Sequence, residues 1–233
     1  MDTNDEPADQ LRNQAAGKPA DFDRGAARRA AAIEDAVRKF GYARGERFSG
    51  LTWLDVDATG PQRNAVKGQL MGYFQPAKVA RVEDLRNVLL FGGPGTGKDY
   101  RLSVLALEAI RRGLNVRWTN GTELVASFRD AIKEDRETLT AREYQTADVF
   151  YLSDPVLGEP LTPYQTQCLY RIVDRRWNQK RPTWVSLNAE SAADAIRMIG
   201  EAAFDRLCDG AIVCYCPWES YRTAHQVLNK RSG

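Results

Sequence analysis

The stretch LLFGGPGTGKDYRLS, Leu89 to Ser103, decides how the rest of the chain is read. Leu89 to Phe91 have the character of a buried strand, GGPGTGK that of a turn, and the residues from Arg101 onward that of a helix. A glycine-rich turn between strand and helix lets backbone N–H groups surround phosphate oxygens, and the helix N-terminus adds a favourable field. Gly92, Gly97 and Lys98 satisfy G-x-x-x-x-G-K, with Gly93, Pro94, Gly95 and Thr96 between, so the expected phosphate cradle runs from Gly92 through Asp99 to Tyr100. The residue after the lysine ordinarily offers magnesium a Ser or Thr hydroxyl; here it is Asp99. Nucleotide binding is therefore expected, and turnover is an open question.

Outward from that stretch the chain alternates. NVLLF, LNVRW, DVFYL, PTWVSLN and AIVCYC are short runs rich in strand formers. Helical stretches are expected between them at roughly 98–112, 121–135, 163–180 and 191–208. Alternating strands and helices predict an α/β fold: a five-stranded parallel sheet covered on both faces, giving three αβα layers. With 233 residues, 43% of them apolar, one main domain over 46–233 is the default.

The flanks read differently. Residues 1–20 are polar and acidic and predict a disordered tail. Over 21–45, Phe22, Ala26, Ala30, Ile33, Val37 and Phe40 recur at helical spacing beside Arg24, Arg28, Arg29, Arg38 and Lys39. That N-terminal helical extension either packs its stripe on the chain's own body or docks another protein. A connector follows, with a helix expected from Pro61 to about Phe74, proline opening its first turn. One short helix, Trp218 to about Asn229, is expected to close the chain.

The apolar runs fall short of a membrane span and the acidic start lacks the form of a signal peptide, so a cytoplasmic protein without membrane contact is expected. None of the four cysteines sits in a C-x-x-C pair, which argues against zinc and disulfides. A formal charge of +2 leaves contact with nucleic acid to local patches. YRIVDRRWNQKR, residues 170–181, is such a patch, suited to phosphates and stacked bases, or else a solvated face.

From Arg47 to Arg222 the sequence resembles the AAA+ helicase loaders of the DnaC type and the related IstB-type transposition helpers. The resemblance rests on QRNA (62–65), LLFGGPGTGKD, ALEAIRRGLNVRW (106–118), LTPYQTQCLYRIVDRRWNQKRPTWVSLN (161–188), FDRL (204–207) and WESYR (218–222). It implies an AAA+ P-loop NTPase of the ASCE class that uses ATP and magnesium, assembles as a homo-oligomer and acts on single-stranded DNA and a replicative DNA helicase. It further implies that Lys98 reaches the β- and γ-phosphates and that Asn188 is sensor 1, positioning the attacking water. Arg206 matches the arginine finger offered to a neighbouring subunit, and Arg222 matches sensor 2. Phosphoryl transfer needs such charge-stabilising groups more than covalent help.

The family usually carries two adjacent acids after the third strand, whereas this chain has DVFYLSDPVLGEPLT from Asp148 to Thr162. Anchored on the strand, Ser153 falls at the magnesium position and Asp154 at the water-activating one. Anchored on Leu161 and Thr162, Asp154 takes the magnesium position and Pro155 leaves no base. Loops accept insertions more readily than strands, which favours the first register. Loop hydroxyl and strand carboxylate are then exchanged, Asp99 for Ser153, and the expectation is a swapped pair that holds magnesium together with Asp154.

Overall fold

The computed structural model describes residues 19–75, 81–156 and 158–222. Its sheet is built from β1 (Val88–Gly92), β2 (Val116–Asn120), β3 (Val149–Ser153), β4 (Thr183–Asn188) and β5 (Ile212–Cys216), all parallel, in the order β2-β3-β4-β1-β5. β1 and β3 are buried along their whole length because both of their faces are covered. β5 lies at an edge and leaves Val213 and Tyr215 exposed.

Side-chain alternation along the strands builds two cores. Val88 and Leu90 of β1, with Tyr151 and Trp184, face one helical layer: α1 (Pro19–Arg44), α2 (Pro61–Met71) and α3 (Lys98–Arg111). Leu89 and Phe91, with Phe150, Leu152 and Val185, face the other. That layer holds α4 (Gly121–Lys133), α5 (Glu137–Thr146), α6 (Pro163–Asn178), α7 (Ala192–Ile199) and α8 (Glu201–Cys208). The three-layer αβα architecture and the five parallel strands match the expectation.

Three details differ from the sequence reading. The single helix expected over 191–208 is two, because Gly200 takes φ 86° and ends α7 before α8 begins. α5 was not expected at all. The basic stretch 170–181 is not one solvated face: Arg171, Arg175, Trp177 and Lys180 are exposed, but the Arg176 side chain is fully buried.

The stripe on α1 divides along its length. Phe40 is buried and Val37 half-buried against the first core, while Ala30 and Ala26 are exposed. Phe22 falls outside the described side chains, as do residues 1–18 of the expected tail and the part of the closing helix beyond Arg222. Among the described residues no helix is long and apolar enough to cross a membrane, and the cysteines are free.

Candidate nucleotide site

Parallel sheets gather ligands outside the carboxyl ends of their strands. β4 lies between β1 and β3, so Asn188 stands opposite Gly92, where the glycine-rich turn begins, and Ser186 opposite Ser153. Three chemically expressive strand ends are thus adjacent, although far apart in sequence. A cleft of about 450 Å³ opens there; Arg47 and Asp57 of the connector, Lys98, Asp154, Asn188 and Arg222 are among the residues that line it.

The turn is held tightly. Gly92 has φ 151°, and a Cβ built on it would lie 2.3 Å from the carbonyl oxygen of Cys216 on β5. Gly92→Ala is therefore expected to destabilise the fold by about 3 kcal/mol, because backbone and not a flexible side chain must give way. A thermal melt lowered by about 6–12 °C would show it. Gly97 takes φ 79° at the N-cap of α3. Beside it the buried Arg101 donates to the carbonyls of Thr96 (3.1 Å), Gly97 (3.2 Å) and Asp57 (2.9 Å), tying turn to connector. WESYR closes over the same turn: Trp218 Nε1 donates to Thr96 O (2.9 Å) and Tyr221 N to Gly95 O (3.1 Å). Tyr221 also donates its hydroxyl to Asp57 Oδ2 at 2.8 Å.

Lys98 is 5% exposed and its Nζ donates to Gly92 O (2.9 Å), Gly93 O (2.7 Å) and Asn188 Oδ1 (2.9 Å). Asn188 passes the contact on, its Nδ2 donating to Asp154 Oδ1 at 2.7 Å. Burial pushes the Lys98 amino group below the usual lysine range, against the pull of Asp154. Burial, with the nearby charge of Asp99, pushes Asp154 up to about 6. Asp154 sits just past β3 with φ 43°, a strained conformation for a residue with a side chain, while its N–H donates to Ser186 O at 2.9 Å.

Asp99 turns toward the sheet. Its Oδ1 accepts from Ser186 Oγ at 2.5 Å and Tyr151 OH at 3.0 Å, and lies 3.5 Å from Arg44 Nη2. Ser153 Oγ accepts from Nη1 of the same arginine at 3.4 Å. The two residues expected to exchange roles around magnesium are thus brought to one cation, and that cation is Arg44. Magnesium requires oxygen ligands and keeps several waters. With Arg44 hydrogen-bonded to Ser153 Oγ and ion-paired with Asp99 at 3.5 Å, Asp99 and Ser153 do not fit as ligands of a divalent ion beside it.

The remaining expected residues are spread apart. Arg222 is exposed at the cleft mouth, with its backbone N–H on Ser220 Oγ at 3.3 Å. Arg206 on α8 is not among the residues lining the cleft. Its Nε donates to Asp174 Oδ1 at 2.8 Å, and the guanidinium lies over the Tyr170 and Trp177 rings of α6. Arg44, Tyr151, Ser186, Arg101 and Asp57 went unnoticed in the sequence. Only the tyrosine and serine carried a signal, polar groups at inward positions of otherwise apolar strands.

Comparison with known proteins bears on the family and the fold. The model of the family described as IstB-like ATP binding protein matches residues 74–229. The replicative helicase loader DnaC of Escherichia coli (strain K12) is 24% identical over 143 residues, covering 60% of this chain and 58% of the loader. An insertion sequence IS21 putative ATP-binding protein of Pseudomonas aeruginosa is 27% identical over 151 residues, covering 63% of this chain and 56% of that protein. The chain thus matches less than two thirds of the length of these relatives. Among solved structures, a crystal structure of the DnaC helicase loader superposes with TM-score 0.65 at 18% identity, over 74% of this chain and 99% of that one. AMPPCP-bound DnaA from Aquifex aeolicus gives TM-score 0.60 at 14% identity, over 79% of this chain and 55% of that one. At such identities the structures speak for the fold, which is that of AAA+ P-loop NTPases.

Proposed function

The chain belongs to the family of IstB-like ATP-binding proteins, and from that premise we propose that it is a loader of the replicative DNA helicase, working on single-stranded DNA as an ATP-dependent homo-oligomer. The observation that carries a catalytic role is the line Lys98, Asn188, Asp154, joined by contacts of 2.9 and 2.7 Å across the strand ends. In this reading Lys98 exchanges its bonds to the turn carbonyls for β- and γ-phosphate oxygens, and Asn188, bonded directly to Asp154, helps place the attacking water beside that carboxylate. Asp154 takes the proton from that water as its oxygen bonds to the γ-phosphorus and the bond to the β–γ bridging oxygen breaks, with ADP as the leaving group. A carboxyl raised to about 6 suits a base, being ionised yet more basic than an ordinary aspartate. Arg222, at the mouth of the same cleft, is the cation for the chain's own nucleotide. Arg206, away from that cleft, serves the neighbour's. Its bond to Asp174 and its two aromatic neighbours hold the guanidinium oriented.

The helicase contact is supported by the exposed stretch of α1 over residues 24–32, while Phe40 anchors the C-terminal half of the helix in the first core. Single-stranded DNA would meet the exposed Arg171, Arg175 and Trp177 of α6 and Lys180 just beyond its end. A second reading, a transposition helper acting with a transposase, draws on the insertion-sequence relatives. A third, a scaffold that binds nucleotide without turnover, draws on Ser153 standing where the strand ordinarily carries a carboxylate.

The test is ATP hydrolysis with and without single-stranded DNA, together with binding to the purified replicative helicase of the same host. Turnover stimulated by DNA and reduced at least about a hundredfold in Arg206→Ala is the expected result. Nucleotide bound without turnover would establish the scaffold. A complex with transposase in place of helicase would establish the helper.

A further inference from the structure

Arg44 ends α1, and its side chain is 6% exposed. The guanidinium carbon lies 3.9 Å from the centroid of Phe48, 4.7 Å from Trp118 and 5.3 Å from Tyr151, an aromatic cage around the cation. Within the cage each nitrogen has a partner: Nε donates to Ser103 Oγ (3.3 Å), Nη1 to Ser153 Oγ (3.4 Å) and Nη2 to Tyr151 OH (3.1 Å), with Asp99 Oδ1 3.5 Å away. Aromatic rings, hydroxyls and one carboxylate thus hold a desolvated cation at the first turn of α3.

Asp99 gives this arrangement its meaning. A carboxylate directly after the phosphate-binding lysine faces a polyanion, and unless compensated it weakens binding of that anion. Phosphate-binding loops ordinarily meet the charge of the nucleotide with a divalent ion held between a loop hydroxyl and a strand carboxylate. Here the carboxylate is in the loop, the hydroxyl is on the strand, and a guanidinium already bridges them. Taking that guanidinium out of its cage would strip it of three rings and leave Asp99 without its counter-charge. Bringing in magnesium would also require shedding part of its water shell for Asp99, whose Oδ1 is already engaged by Ser186, Tyr151 and Arg44.

We infer that Arg44 is the resident counter-charge of this nucleotide site, taking the place of the divalent ion, so that the chain binds ATP without magnesium. Arg44 is a positioning residue: it acts on the nucleotide through Asp99 and touches the turn only by way of that carboxylate. Because it is carried by α1, docking of the C-terminal half of α1 becomes a condition for tight binding. The inference rests on the ATP-binding character of the family and is independent of whether a helicase or a transposase is served.

The experiment is calorimetric titration of the full chain with ATP, once with magnesium and once with EDTA. The wild type is expected to show dissociation constants within about threefold of each other in the two buffers. Arg44→Ala exposes the charge of Asp99, so its affinity in EDTA falls by about tenfold or more while magnesium restores most of it. Combining Arg44→Ala with Asp99→Asn removes the repulsion and recovers binding in EDTA. A purely structural role for Arg44 would instead weaken both titrations alike and would not be rescued at Asp99, which would overturn the inference. Wild-type binding confined to the magnesium buffer would overturn it too, without any variant, and would leave ATP binding intact. Absence of binding in both buffers would overturn ATP binding along with it.

Discussion

Arg176→Ala is expected to cost about 4–5 kcal/mol of stability, a large part of the margin of a typical domain, and to lower the thermal midpoint by about 10–20 °C. The Arg176 guanidinium donates to the carbonyls of Tyr144 (2.8 Å), Gln145 (3.2 Å), Ala147 (2.8 Å), Asp148 (3.2 Å) and Pro182 (2.6 Å), and its Nε to Thr183 Oγ1 (3.2 Å). These acceptors are where α5 ends and where β3 and β4 begin, so one side chain fastens a helix and two strands of the sheet. Burial pushes the group down to about 9, with the charge of Arg181 adding, which still leaves it a cation at neutral pH. Alanine would strip the donors from the Tyr144, Gln145 and Asp148 carbonyls, leave Ala147 O only Arg181 Nη1 and Pro182 O only Phe150 N, and open a void beside Phe150. Lysine, with three donors on a point charge, cannot serve the same fan of acceptors and should recover only part of the loss. Chemical denaturation of the three proteins measures the series. A loss under 1 kcal/mol for alanine would mean that the carbonyls find water instead.

That knot marks where the sequence was legible and where it was not. The five strands were readable because a parallel sheet buried on both faces needs unbroken apolar runs, and VLLF and VFYL are such runs. α5 was not, since ETLTAREYQT buries only Ala141 and Tyr144 and shows no stripe. Its place is secured by Arg176 from the following helix, a long-range bond that no local pattern announces. The convergence of Lys98, Asn188 and Asp154 was legible through spaced motifs, because strand ends in a parallel sheet lie side by side. Arg44 was not, since a single arginine at the end of a basic helix looks like a solvated one. Only the fold shows that its neighbours in space are three aromatic rings and the carboxylate of Asp99. The charge pattern of 170–181 misled for the same reason: Arg176 and Arg175 are alike in sequence, yet one faces the sheet and the other faces water.

Lys98→Ala should weaken ATP binding by at least about a hundredfold, about 3 kcal/mol, the largest functional effect expected of any single change in the site. The amino group is pre-placed. It is held at 2.9 and 2.7 Å from the carbonyls of Gly92 and Gly93, so the turn is already shaped around a cation before any phosphate arrives. Deleting the cation removes a charge-assisted contact to the nucleotide and also leaves those carbonyls, which repel anions, facing the site without compensation. Asn188→Ala separates the two roles along the same line. It removes the partner of both Lys98 and Asp154 but no charge, so affinity should change by less than about tenfold while turnover, where present, falls further. Nucleotide titrations of the two variants beside a thermal melt of each make the comparison. If Lys98→Ala kept its affinity with an unchanged melting point, the phosphates would have to be held by Arg222 and the turn amides alone. The cleft would then work as an anion nest and not as a lysine-centred phosphate site.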